Sequence, residues 1–183
     1  MEYHGSIASG GVAIGKTFVF APYVPSVSQR TVTPDEAEGE LKALDDAAAR
    51  AREELTAVVS RLEASDPEKA EIVSAHLAIA EDEELLGEIR RAIAEKHYCV
   101  SRAIRETYDE FSAPLRETED AHLRERVSDM DDVCTRLLRC AEGVPETTLA
   151  DLPERCIVVA GELYPSDTVL MDPGKVLGIE EKP

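Results

Sequence analysis

Four histidines and four cysteines are the side chains best suited to nucleophilic or metal chemistry in this chain. They are His4, His76, His97 and His122, and Cys99, Cys134, Cys140 and Cys156. No second histidine follows His76 at the spacing that brings two ligands onto one helix face, and Glu71 or Glu81 beside it makes no metal motif. No two cysteines form a CxxC pair, so they read as reduced, partly buried thiols rather than a disulfide framework. Nucleophile-elbow, P-loop and dinucleotide-binding patterns are missing. Ser9-Gly10-Gly11 is a turn signal, not a phosphate loop. No nucleophile has a base beside it. The residues therefore assign no catalytic and no metal-ligating side chain.

What remains is His76, one helical turn before the acidic run Glu81-Asp82-Glu83-Glu84. One reading is a half-buried histidine beside a solvated charge run. The other is a docking surface with Leu77, Leu85, Leu115 and Leu123 as apolar anchors and Glu68, Glu71, Asp82 and Glu84 as an acidic rim. The whole chain agrees in charge: its 183 residues carry 38 acidic and 20 basic side chains, a net charge of −18. That excess repels phosphate and anionic headgroups, and so disfavours nucleic acid and membrane surfaces. It favours a basic protein partner. A hydrophobic fraction of 43% separates the chain from acidic disordered tails. No apolar run approaches the roughly 20 residues that span a bilayer. The N-terminus lacks the charged and apolar regions of a signal peptide, so a cytoplasmic location is expected.

Composition sets out the elements that must position this surface. Residues 1–21 and 143–183 lean towards β-structure, and residues 33–142 are dense in Ala, Glu, Leu and Arg. Ser6-Ile7-Ala8 and the stretch holding Phe18 and Phe20 read as strand, and residues 22–30 as a linker. Thr33, Pro34 and Glu36 make a helix start with a capping box. Leu41, Leu44, Ala48, Ala51, Leu55, Val58 and Leu62 then form a stripe that packs along another helix. Asp66-Pro67 starts a second helix, with Ile72, Val73, His76, Leu77 and Ala80 on one face and a kink or break near residues 81–83. A third helix is predicted over residues 100–115, with Ala103, Ile104, Tyr108 and Phe111 inward. A fourth is predicted over 120–141, with Leu123, Val127, Met130, Val133, Leu137 and Leu138 inward, stopped by Gly143-Val144-Pro145. RCIVVA at 155–160 and KVLGI at 175–179 read as strands around a short helix, an α/β unit that residues 1–21 complete. With its end so soon after a strand, the sequence is expected to be a piece of a longer protein.

Five stretches carry a family resemblance. GSIASGGVAIGK at 5–16 resembles G-I-x-A-S-x-G-I-A-x-G-K. KAEIVSAHLAIAEDEEL at 69–85 resembles K-x-x-I-x-x-x-H followed by D-x-E-L. LRERVSD at 123–129 resembles (L/M)-K-E-R-A-A-D, ELYPSDT at 162–168 resembles D-L-T-P-S-(D/E)-T, and VLGI at 176–179 resembles V-(L/K)-G-F. In that order they resemble the N-terminal portion of enzyme I of the sugar phosphotransferase system, the phosphoenolpyruvate–protein phosphotransferases. Two departures stand out: His122 replaces a frequent Tyr, and Tyr164 replaces a Thr.

The resemblance implies a fold of α plus α/β class. A four-helix, hairpin-type docking domain at 30–142 is inserted into an incomplete α/β phosphohistidine domain at 1–21 and 144–183. It implies that the full-length enzyme moves a phosphoryl group from phosphoenolpyruvate, with Mg²⁺, through a histidine to the carrier protein HPr. The family's phosphorylated histidine follows the strand at 175–179, so none of His4, His76, His97 or His122 takes that role. This chain is then expected to dock HPr, to be inactive and without a cofactor alone, and to be a monomer, with dimerisation left to the full-length enzyme. By matching position the docking residues are Glu68, Lys69, His76, Asp82, Glu84, Leu85, Leu115, Leu123 and Arg126. The alternative is a nitrogen-branch or paralogous enzyme I that docks another HPr-like carrier.

Overall fold

The computed structural model describes residues 10–21, 23–146, 148–150, 152, 154–161, 163 and 165–181; the side chains at 121, 122, 124, 125, 165, 166 and 181 fall outside that description. Ser6-Ile7-Ala8, His4, Glu162 and Tyr164 also lie outside the described residues. The chain divides into two compact units, Met1–Pro22 with Thr147–Pro183, and Tyr23–Glu146.

The second unit is helical: α1 Pro34–Glu63, α2 Pro67–Ala80, α3 Glu83–Lys96, α4 Val100–Arg116 and α5 Ala121–Ala141. The Glu36 carboxylate opens α1, accepting from the Thr33 N–H at 2.8 Å and from its hydroxyl at 3.0 Å. Those hydrogen bonds hold the Glu36 carboxyl below its ordinary pKa. Asp66 caps α2 by accepting from the Lys69 N–H at 3.3 Å, and Asp82 caps α3 by accepting from the Leu85 N–H at 2.8 Å. The lapse at the acidic run is therefore a true break between two helices. Cys99 offers α4 no side-chain cap, and Glu40 of α1 fills the gap by accepting from the Val100 N–H at 2.8 Å. His97 ends α3 in the left-handed region at φ 55°. Gly143, at φ +68°, ends α5 with the paired bonds Gly143 N–H to Cys140 O and Val144 N–H to Arg139 O, both 3.1 Å.

The α1 stripe is broader than a coiled-coil seam. Ala37, Leu44, Ala47, Ala51, Leu55 and Leu62 are buried, while Leu41, Ala48 and Val58 are half-buried. The reason is that α1 packs against α2, α3, α4 and α5 rather than one partner, and a straight helix drifts off a seven-residue repeat. Phe111, Val127 and Met130, expected inward, are also only half-buried. The stretch read as a linker ends docked: Thr31 bridges to Tyr98, and the Val32 N–H donates to His97 O at 2.8 Å.

Charge also fastens α5 to α1. Glu54 accepts from Arg136 at 2.9 Å and from Arg139, and Arg136 also pairs with Glu146 at 2.7 Å. At the opening of this unit, the Tyr23 phenol is pushed up in pKa first by burial and then by the neighbouring Glu142 on the turn after α5.

The first unit holds three parallel strands in the order β1 Lys16–Phe20, β2 Cys156–Ala160 and β3 Val176–Glu181, with the short helix α6 at Pro165–Val169. Phe20, Leu149, Leu152, Cys156, Val158 and Ala160 form its core. The β2–β3 register shifts between Cys156 and Ile157, opposite Leu177. Leu177 then crowds the chain entering β1: a Cβ at Gly15 would stand 2.6 Å from its Cδ1. A larger residue there would make the end of the Leu177 side chain shift.

Candidate functional site

Neither of the two thiols on α5 is a ready nucleophile. Burial pushes Cys134 up to about 12 and Cys140 up to about 11, so both stay protonated at neutral pH. All four cysteines are free and buried. Among the described residues, no group of His, Cys, Asp and Glu is arranged to hold a metal ion. None of the described helices is long and apolar enough to cross a membrane. What the helical unit offers instead is a surface built by α2, the start of α3 and the start of α5.

On α2, Glu68 is exposed and Lys69 is half-exposed, its ammonium 3.6 Å from Asp66. Ile72, expected on the inward face, is 46% exposed. Val73, His76 and Ala80 occupy one narrow line at helical spacing, and Ile72 falls to one side of it. On α3, Asp82 and Glu84 are exposed. Leu85 is only 3% exposed, so it underlies the acidic turn and is not an outward anchor. Leu115 is half-buried in the last turn of α4. On α5, Leu123 was expected in the core but is 40% exposed. It precedes the segment of Val133, Leu137 and Leu138 that fills the interior. Arg126, one turn on, is exposed as well.

The structure thus leaves Glu68, Lys69, Asp82, Glu84, Leu123 and Arg126 reachable, with Ile72 added and Leu115 partly covered. It withdraws two members of the expected set, His76 and Leu85. His76 is 1% exposed. Its Nε2 lies 3.1 Å from Asp129 Oδ1, and its Nδ1 lies 3.3 Å from Asp132 Oδ2. Both carboxylates belong to α5, so this contact ties α2 to α5. Sequence reasoning missed both aspartates. Their i, i+3 spacing puts them on one helix face, but nothing local shows that this face meets His76.

Two further groups lie beneath the surface. Tyr108 is buried with its hydroxyl unpartnered, and burial followed by nearby Cys134 and Asp82 raises its pKa well above the ordinary value. Arg105 pairs with Asp131 at 3.4 Å and Asp109 at 3.7 Å across α4 and α5. The arrangement can present a negative rim around small apolar patches.

Comparison with known proteins gives one answer. Residues 4–126 match the family described as PEP-utilising enzyme, N-terminal. The phosphoenolpyruvate-protein phosphotransferase of Enterococcus faecalis is 32% identical over 92% of this chain, which spans 29% of that relative. That of Haemophilus influenzae is 32% identical over 96% of this chain, which spans 31% of it. The chain thus spans about a third or less of these curated relatives' length. The solution structure of an Enzyme I protein superposes with a TM-score of 0.84 at 31% identity, covering 94% of this chain and 70% of that one. The N-terminal domain of an enzyme 1 labelled Nitrogen superposes at 0.66 with 24% identity, a likeness of fold alone.

Proposed function

The chain belongs to the family of PEP-utilising enzyme N-terminal regions, and from that premise we propose that its helical unit is the carrier-docking module of an enzyme I of the sugar phosphotransferase system. The observation that carries this reading is the exposure of Glu68, Asp82 and Glu84 together with that of the apolar Ile72 and Leu123. The carboxylates steer the basic rim of the HPr phosphocarrier, and the two apolar side chains supply the contact that loses water. In the whole enzyme the phosphoryl group then travels from phosphoenolpyruvate through a histidine to HPr. His76 is enclosed by two carboxylates and His97 ends a helix, so neither is assigned to that step. The Mg²⁺ of the phosphoryl step would belong to the whole enzyme.

The test is an NMR titration of isotope-labelled HPr with this chain at low and at high salt. Shifts should cluster around the carrier's active histidine and weaken with salt, because screening shortens to about 10 Å at 0.1 M. Glu84→Lys should weaken binding about tenfold, mainly by slowing association. No shifts at carrier concentrations on the order of 100 µM would overturn the reading.

A further inference from the structure

His76 is a buried polar residue whose partners come from another helix. It sits one turn along α2 from exposed Ile72 and two turns from Glu68. Asp129 and Asp132 sit one and two turns along α5 from exposed Arg126. The two exposed sets belong to different helices, and the contacts of His76 join those helices. We propose that His76 is a positioning residue: hydrogen-bonded to Asp129, with Asp132 3.3 Å from its other ring nitrogen, it fixes the α2 set Glu68, Lys69 and Ile72 against the α5 set Leu123 and Arg126, so that a partner meets one surface instead of two. This rests on the docking reading and changes the part His76 plays in it, from partner contact to internal clamp.

The chemistry supports such a role. An imidazole has one nitrogen on each side of its ring, so it can face two carboxylates at once at fixed angles, which no aliphatic side chain can do. At 1% exposure it has no surface left for a partner. A polar contact in an otherwise apolar helix interface specifies one register, because sliding the helices leaves its members buried without partners. Val73 and Ala80, the buried neighbours on either side along α2, are small or smooth and set register weakly.

The test uses His76→Gln and Asp129→Asn in the full chain, with two readouts. In the free protein, amide exchange in α2 should speed up at least tenfold while α1 and α4 keep their protection. With HPr as probe, each variant should weaken binding about fivefold to tenfold through faster dissociation, with association unchanged because the rim charges are intact. The double variant should cost no more than the worse single one, since both remove the same contact. A merely stabilising histidine would instead lower protection in all five helices together and leave dissociation from the folded fraction unchanged; that result overturns the proposal. Weakened binding with α2 exchange unchanged would make His76 a contact residue and overturn it as well. Should His76→Gln fail to fold, Asp129→Asn, which keeps the Asp132 side of the clamp, decides by the same two readouts. A wild-type chain that ignores HPr would overturn the docking reading and the positioning role with it, while the exchange measurement would still report whether the clamp couples α2 to α5.

Discussion

Leu44, Leu55, Ile93 and Leu137 of the helical unit are at most 1% exposed, whereas Val19 and Ile179 on the strands of the α/β unit are 70% and 49% exposed. The helical unit closes its interior with side chains from all five helices, and α1 to α4 are each started by a cap that their own sequence or a neighbouring helix supplies. The α/β unit packs a small core under one face of a three-stranded parallel sheet. Parallel sheets are ordinarily covered on both faces, and three strands are few for independent stability. The contrast teaches where stability resides: in the unit that presents the candidate surface.

The sharpest way to break that comparison is a pair of core truncations. Leu137→Ala should cost about 2–5 kcal/mol and move the urea midpoint of the helical circular dichroism signal. Val158→Ala should leave that midpoint in place and speed exchange only in the strands. Equal shifts from both would mean that the units unfold as one. Next in size is Glu54→Gln, which leaves buried Arg136 and Arg139 short of their shared anion. It should cost about 3 kcal/mol in the same urea titration. Asp82→Ala removes the α3 cap and should cost about 1 kcal/mol, seen as faster exchange at the Leu85 amide.

The smallest effect is a matter of pH. The hydrogen bonds from Thr33 depress the Glu36 pKa, so their contribution is complete above the ordinary glutamate value of about 4.3. It is lost as pH falls through the lower folded value. Carboxyl-carbon NMR should show Glu36 titrating below the exposed glutamates, with the first turn of α1 loosening in step. Glu36 titrating with the rest would break the assignment.

Much of the fold was legible because helix starts are local events. Thr33-Pro34, Asp66-Pro67 and Gly143 announce their caps within a few residues. The break at Glu81–Glu83 could be read from the lapse in the apolar pattern, and RCIVVA and KVLGI each became a strand. The width of a buried face could not be read, because periodicity gives the direction of a face and not the number of helices that cover it. Ile72 and Leu123 were placed inside for that reason, and both are exposed. The clamp on His76 was illegible because it joins residues more than fifty positions apart. Charge and leucine content pointed to the right stretch of chain for the candidate site, and only the packing showed which of its members face outward.

Tyr23 and Glu142 have one more implication. The residue that begins the helical unit lies beside the turn that follows its last helix. An insert whose ends approach each other asks little of its host, because closing so long a loop adds little more than closing a short one. The helical unit therefore has the form of a cassette. It should tolerate being cut out at Tyr23 and Glu146, grafted into an exposed loop of an unrelated protein, or reopened at one of its own turns.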